Sequence, residues 1–378
     1  MGIDFLNQRI SRREFLKKGL LIFLFTLGFD KINTFAGSTA PFEKEASFYK
    51  NIDPHTVKCQ LCPHGCVLKD GQRSFCRVRE PKDGKLYSLV YGLACAVHID
   101  PIEKKPLFHF LPGSPIYSIA TAGCNFRCKF CQNWSISQYP PEETYNYRLS
   151  PQDIVNSALD RNCPSIAYTY TEPSIFYEYM LDTAKLAKRA GLKNMYHSNG
   201  YLNSKPVEEL SLYLDGANID LKSFNQSFYS EVCSGYLDVV LNTLKILKQN
   251  HVWVEITNLV IPTLNDNLEE IRQMCLWIKE NLGKDTPIHF SRFWPQYKLT
   301  HLYPTPVDTL EKARSIALDV GLDFVYIGNV FGHPAENTYC PGCKRIVIER
   351  RGFSILAKHI DEEGICKFCG YALPGIWS

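Results

Sequence analysis

The sequence predicts an α/β protein: a parallel sheet of βα units carried between two small cysteine-rich modules. Three observations predict it. From about residue 114 onward, short strand-like runs alternate with segments of helical periodicity, the pattern of a parallel sheet. Successive runs end in polar clusters, at the carboxyl strand ends where α/β folds keep their chemistry. Eleven of the 15 cysteines fall into three tight groups, at 59–76, 124–131 and 340–369, the arrangement of metal ligation and not of a disulfide framework. The other four, Cys95, Cys163, Cys233 and Cys275, read as small buried hydrophobes. With 378 residues and 45% hydrophobic content the chain can bury a core. A net charge of +3 without long basic runs excludes nucleic acid as a partner.

The elements follow in chain order. Arg12 and Arg13, followed by the apolar stretch 19–29, resemble a twin-arginine export signal, so residues 1–36 are assigned to a leader through which membrane association is expected. Eleven apolar residues are too few to cross a bilayer, which needs about 20. Residues 37–113 form an amino-terminal module in which Cys59, Cys62, Cys66 and Cys76 can close a tetrahedron. Zinc is the default for such a knuckle and a second [4Fe-4S] cluster is its competitor. His64 beside Pro63 reads as a turn residue.

The core is assigned to 114–335. Its strands are expected at 116–120, 166–170, 194–198, 217–221, 253–260, 288–293 and 324–327, with helices at 176–190, 238–249, 268–281 and 309–319. Seven strands fall short of a closed eight-stranded barrel. The last module, 336–378, pairs Cys340 and Cys343 with Cys366 and Cys369, a zinc-ribbon spacing that a rubredoxin-like iron site would share.

The chemistry centres on Cys124, Cys128 and Cys131, placed just after the first core strand. Three thiolates at this spacing can hold an iron–sulfur cube with one iron free, whereas a cluster that only carries electrons normally takes four. A site with a missing protein ligand is one that substrate can fill. With Phe130 before the last cysteine, the motif resembles the signature of the radical S-adenosylmethionine (SAM) enzymes. The resemblance implies a partial (βα)6 barrel of the TIM type. It also implies a [4Fe-4S] cluster whose free iron is chelated by SAM, and a 5′-deoxyadenosyl radical that abstracts hydrogen. No catalytic residue is expected beyond the cluster ligands.

Other strand ends carry the resemblance further. Thr171, Glu172 and Pro173 sit where the family has a Gly-Gly-Glu-Pro loop that receives the SAM amino group, both glycines being replaced here. Ser198 and Asn199 are similar to the Asp-Thr-Asn-Gly segment of glycyl-radical activases, with Ser198 in place of threonine, and Asp220 and Lys222 match their Asp-Leu-Lys. Two residues apart on a strand, Asp220 and Lys222 point the same way, so both can face the pocket. Phe130, Thr171, Glu172, Pro173, Ser198, Asn199, Asp220 and Lys222 are therefore the expected SAM contacts. Pro262, Asn265 and Asp266 resemble a further family loop; Arg292 could bind a substrate anion or form a structural ion pair, and His289 alternates away from the pocket into the core. Phe108, His109 and Phe110 read as packing or as a cap on the cluster.

From about Cys59 to Trp377 the chain resembles the radical SAM component of the AmmeMemoRadiSam system, related to pyruvate formate-lyase activating enzymes. That implies an electron donor such as flavodoxin or ferredoxin. The substrate is left open between a protein, activase-fashion, and a small molecule. The competing class is a multi-cluster electron carrier without SAM chemistry. Cofactor needs point to the cytoplasm, whereas the leader points to export or anchoring.

Overall fold

The computed structural model describes residues 43–378; the leader assigned to 1–36 lies outside them. One eight-stranded sheet dominates, with its strands in chain order. They are β1 (Ala96–Pro101), β2 (Pro115–Ala120), β3 (Ser165–Tyr168), β4 (Lys193–Ser198), β5 (Gly216–Asp220), β6 (Trp253–Val260), β7 (Ile288–Arg292) and β8 (Val325–Gly328). From β2 to β8 every neighbouring pair is parallel, and β1 adds to β2 antiparallel. β1 and β8 do not pair, so the barrel stays open.

The parallel strands are largely buried on both faces because helices cover the outside while the inside is enclosed by the barrel, where the strands also carry buried polar residues such as Asn218, Glu255 and Thr257. All four residues of β3, for example, are buried. The covering helices are α1 (Pro151–Asp160), α2 (Tyr177–Arg189), α3 (Ser204–Ser211), α4 (Leu237–Gln249), α5 (Leu268–Leu282) and α6 (Val307–Val320). Local chemistry fixes their ends. α1 opens on a capping box between Ser150 and Asp153 with Pro151 in its first turn, and α5 opens on the Asn267 side chain. α6 stops at Gly321, whose φ of +99° is a conformation that glycine alone adopts without strain.

The segment between β1 and β2 closes the amino-terminal end of the barrel. The Phe110 ring lies against Gly216, the first residue of β5, so closely that a Cβ there would sit 2.8 Å from it. Glu255 on β6 accepts from the Phe108 and His109 backbone N–H groups at 3.0 and 2.8 Å, and from His289 Nε2 at 2.7 Å. Burial opposes a carboxylate there, but these donors hold its pKa below the usual value. Phe108, His109 and Phe110 are thus packing at the barrel floor.

Two small antiparallel sheets precede the barrel, Lys44–Glu45 with Lys85–Ser88 and Arg79–Lys82, and Tyr49–Asp53 with Thr56–Cys59 and Val67–Lys69. A third follows it, from Thr338–Tyr339, Ile346–Arg351 and Ser354–Lys358. A buried hydrogen-bond chain ties this last sheet to the floor. Arg350 donates to Thr338 Oγ1 at 2.7 Å, Thr338 to the Tyr326 hydroxyl at 2.9 Å, and Tyr326 to His109 Nε2 at 2.7 Å. His109 Nδ1 faces the Pro374 carbonyl at 2.7 Å. A carbonyl only accepts, so Nδ1 carries a proton, and burial, which disfavours the charged ring, leaves Nε2 to accept from Tyr326.

That tautomer makes a pH prediction. Burial lowers the His109 pKa to about 4 from 6.5. Between those values the unfolded chain holds a proton that the folded chain refuses, so this contribution to stability is complete above about 6.5 and is lost as pH falls toward 4. Urea melts at pH 7.5 and 5 should show the loss, and His109→Phe should flatten it; an equally steep loss in the variant would contradict the assignment.

Candidate functional site

A cavity of about 830 Å³ opens at the carboxyl ends of the core strands. Cys124, Cys128 and Cys131 line one side of it, and Glu172, Asn199, Asp220 and Lys222 continue the wall through the loops after β3, β4 and β5. Residues far apart in sequence meet there because parallel βα units deliver every loop to the same end.

The cysteine loop is held from three directions. Its backbone pairs with the π-helical turn Tyr229–Cys233, the Arg127 and Lys129 N–H groups donating to the Cys233 and Val232 carbonyls at 2.8 and 3.0 Å. The Asn125 amide donates to the Tyr201 carbonyl and accepts from the Asn199 amide, both at 2.8 Å. Arg127 donates to the Cys124 carbonyl at 2.8 Å. The sulfurs differ: burial pushes the Cys124 and Cys131 thiols up, whereas a hydrogen bond from Cys233 pulls the Cys128 thiol down. Cys233, expected to be an inert hydrophobe, therefore sits directly behind Cys128, and it does not line the cavity.

The neighbouring groups form a network. The Glu172 carboxylate is buried and accepts from the Ser174 N–H at 3.0 Å, the Ser198 hydroxyl at 2.7 Å and the Asn199 N–H at 2.8 Å. Much of its capacity thus joins two strand-end loops, leaving Oε2 with one bond. Asp220 pairs with Lys222 Nζ at 2.9 Å and with His197 Nε2 at 3.0 Å. Burial opposes both charges, yet the attraction between them wins: Asp220 titrates well below the usual carboxylate range and Lys222 well above the usual lysine range. Lys222 Nζ also stands 5.5 Å over the Phe130 ring. Thr171 lines the cavity and donates to the Thr121 carbonyl at 2.8 Å, while Pro173 begins the short helical turn that Glu172 caps.

Asn265 is the brace behind Lys222. Its amide donates to the Lys222 and Leu259 carbonyls at 2.6 and 2.9 Å and accepts from the Ile261 N–H at 2.6 Å. Asn265→Ala should cost about 1–3 kcal/mol of stability by orphaning buried partners. Chemical denaturation checks the loss.

Some expectations need correcting. Arg292 donates to the Thr305 carbonyl at 2.8 Å and lies over Trp294, away from the cavity wall. His289 is buried but faces the cavity, as does Ser291. His64 is more than a turn residue, since its Nε2 donates to the Asn125 carbonyl at 2.7 Å and its ring stacks on Phe75.

The two four-cysteine sets differ. Cys340, Cys343, Cys366 and Cys369 bring their sulfurs within 4.8 Å of one another, the one set of His, Cys, Asp or Glu groups among the described residues to close so tightly. Cys340 and Cys369 are 3.6 Å apart and Cys343 and Cys366 3.9 Å. Four sulfurs around one zinc at its usual bond length would be about 3.8 Å apart. The set fits a zinc-ribbon-like module. Cys59, Cys62, Cys66 and Cys76 gather more loosely, though every pair is close enough to interact electrostatically. Cys124, Cys128 and Cys131 are likewise more open, as suits separate corners of a cube.

The chain is similar to several known proteins. A profile of the Radical SAM superfamily matches residues 118–278. An uncharacterized protein of Methanocaldococcus jannaschii is 48% identical, over 86% of this chain and 98% of its own length. The pyruvate formate-lyase-activating enzyme of Clostridium pasteurianum is 25% identical, over 42% of this chain and 66% of its own. Among solved structures, a domain of pyruvate-formate lyase-activating enzyme from Bacteroides vulgatus is similar with a TM-score of 0.39 at 17% identity, over 44% of this chain and 99% of that one.

Proposed function

The chain belongs to one family with the uncharacterized Methanocaldococcus jannaschii protein, and we propose that it is a radical SAM enzyme, which the superfamily match over residues 118–278 supports, and an activating enzyme acting on a protein substrate, which the more distant activating-enzyme relatives support. Cys124, Cys128 and Cys131 would hold a [4Fe-4S] cluster. When bound, the reduced cluster and SAM together supply a 5′-deoxyadenosyl radical for hydrogen abstraction. The observation that carries the proposal is the meeting of three thiols and the Asp220–Lys222 pair on one cavity wall, with Cys233, whose thiol hydrogen-bonds Cys128, outside it.

The residues present suit SAM. Lys222, kept charged by Asp220, would hold the SAM carboxylate, and the spare capacity of Glu172 Oε2 would receive the ammonium. The Asn199 amide, already tied to Asn125, and the Ser198 hydroxyl fix the loop beside them. Phe130 supplies an apolar wall that strengthens the charges it borders.

A protein substrate is favoured by the mouth of the cavity. Trp294, Phe331 and Phe353 line it while 49%, 74% and 51% exposed, more aromatic surface than SAM alone needs. The name of the Clostridium pasteurianum relative describes action on another enzyme, which agrees. A flavodoxin or ferredoxin would supply the electron, and zinc would fill the carboxyl-terminal ribbon.

The test is anaerobic reconstitution with iron and sulfide, reduction with dithionite and addition of SAM. Equal amounts of 5′-deoxyadenosine and methionine are expected by mass spectrometry. Neither product from a fully loaded cluster would overturn the proposal.

A further inference from the structure

The amino-terminal thiols and the cysteine loop are stitched together by contacts that SAM binding does not use. His64, between Cys62 and Cys66, donates to the carbonyl of Asn125, the residue after Cys124. The Arg127 guanidinium donates to the carbonyls of Cys124 and of Phe75, the residue before Cys76, and lies 4.1 Å over the Phe75 ring. Gly123 passes so close to the Cys76 carbonyl that a Cβ would sit 2.6 Å from it. Apart from the bond of Arg127 to Cys124, which lies within the loop, each contact joins a residue at one ligand set to a residue at the other.

The amino-terminal set also has the marks of a site awaiting a large anion. Cys59 and Cys76 are buried, whereas Cys62 and Cys66 are partly exposed, and the Cys76 carbonyl lies against Gly123 beside the cysteine loop. Arg79, 1% exposed, lies near Cys59 and Cys76, and its Nε has no hydrogen-bond partner. A buried guanidinium N–H without a partner is costly unless an acceptor arrives. The loose spacing of these thiols suits a four-iron cube better than one ion, which the carboxyl-terminal ribbon already fits.

We propose that Cys59, Cys62, Cys66 and Cys76 hold a second [4Fe-4S] cluster, which passes electrons to the cluster at Cys124, Cys128 and Cys131. The electron-delivery half of this proposal rests on the function proposed above. One electron moves from a one-electron donor of the flavodoxin or ferredoxin class to the amino-terminal cluster, taking it from [4Fe-4S]2+ to [4Fe-4S]+. It then moves on to the second set and returns the first to its oxidised state, with no proton transferred. Four protein thiolates and no free iron are what a carrier needs.

Metal and sulfide analysis of the reconstituted wild-type chain should give about eight iron and eight sulfide, and the reduced protein should show two mutually broadened electron paramagnetic resonance signals. About four iron, with zinc at Cys59–Cys76, would overturn the proposal. Cys66→Ser should then remove one signal and at least tenfold of the SAM cleavage driven by reduced flavodoxin, while cleavage driven by dithionite stays within twofold. Should that variant not fold, redox titration of the wild type by each signal decides the same question: the amino-terminal cluster must be reduced by flavodoxin before SAM is cleaved. Equal flavodoxin-driven rates with and without the amino-terminal cluster would refute the relay. Eight iron with no SAM cleavage by either reductant would instead sink the function proposed above and leave the second cluster standing.

Discussion

Cys128→Ala should reduce SAM cleavage to the level seen without enzyme, while the variant keeps its fold. Each corner of a three-thiolate site is needed to retain the cube, so losing one removes the cofactor itself. The same loop is held by backbone pairs to the turn Tyr229–Cys233 and by the Asn125 and Asn199 amides, none of which needs the Cys128 sulfur. Iron content should fall by the share of one cluster, and the circular dichroism spectrum should stay unchanged. Residual activity would be informative only if Cys233 had taken over the position, since its sulfur already hydrogen-bonds Cys128. The double variant Cys128→Ala with Cys233→Ala must therefore be inactive; activity in it would remove this loop from the chemistry.

The largest effect on stability is expected at Glu178 on α2. Its two carboxylate oxygens accept from Arg79 Nη2, at 2.8 and 2.7 Å, and one of them also from the Ser47 N–H at 2.7 Å. Both side chains are almost wholly enclosed, at 1% and 3% exposure. Exposed pairs of this kind contribute little, but removing one partner of a buried pair strands the other charge in a low dielectric. Glu178→Ala should thus destabilise the protein by about 3–5 kcal/mol, read from urea unfolding. Arg79→Met combined with Glu178→Leu should recover much of the loss, because both charges then leave together. If Glu178→Ala lost less than about 1 kcal/mol, the pair would be behaving as a solvated surface bridge. This ion pair anchors the amino-terminal module beside the cysteine loop, so its loss should also loosen the contacts of His64 and Arg127 with that loop.

The strands were legible where the pattern was strongest. The expected run at 253–260 is β6 residue for residue, and 194–198 and 217–221 lie within one residue of the ends of β4 and β5. β1 was not anticipated, because an edge strand with exposed His98 and Ile99 breaks the apolar run that marks buried strands. The capping box of α1 was written plainly in Ser150, Pro151 and Asp153, but a short helix between two loops gives little periodicity to find.

The misplacement of His289 and Arg292 has one cause. Taking β7 one residue out of phase exchanges its two faces, and His289 and Ser291 are the residues that point inward. Among the groups expected around SAM, Asp220 and Lys222 were legible because their partnership is local, two residues apart at the end of β5. Cys233, Arg127, His64 and Glu255 were not, since their partners lie across the fold: His64 meets Asn125 across 61 positions and Glu255 meets His109 across 146. No periodicity carries such a contact.

The proposed chemistry stands on one geometric requirement: the iron left free by Cys124, Cys128 and Cys131 faces the cavity and is filled by SAM. Electron–nuclear double resonance on the reduced protein, with SAM labelled by 15N at the amino group and 13C at the carboxylate, puts that requirement to the test. Hyperfine coupling from both labels to one cluster is expected, lost in Cys128→Ala and weakened in Lys222→Ala. A reduced cluster whose spectrum does not change on adding labelled SAM would contradict it.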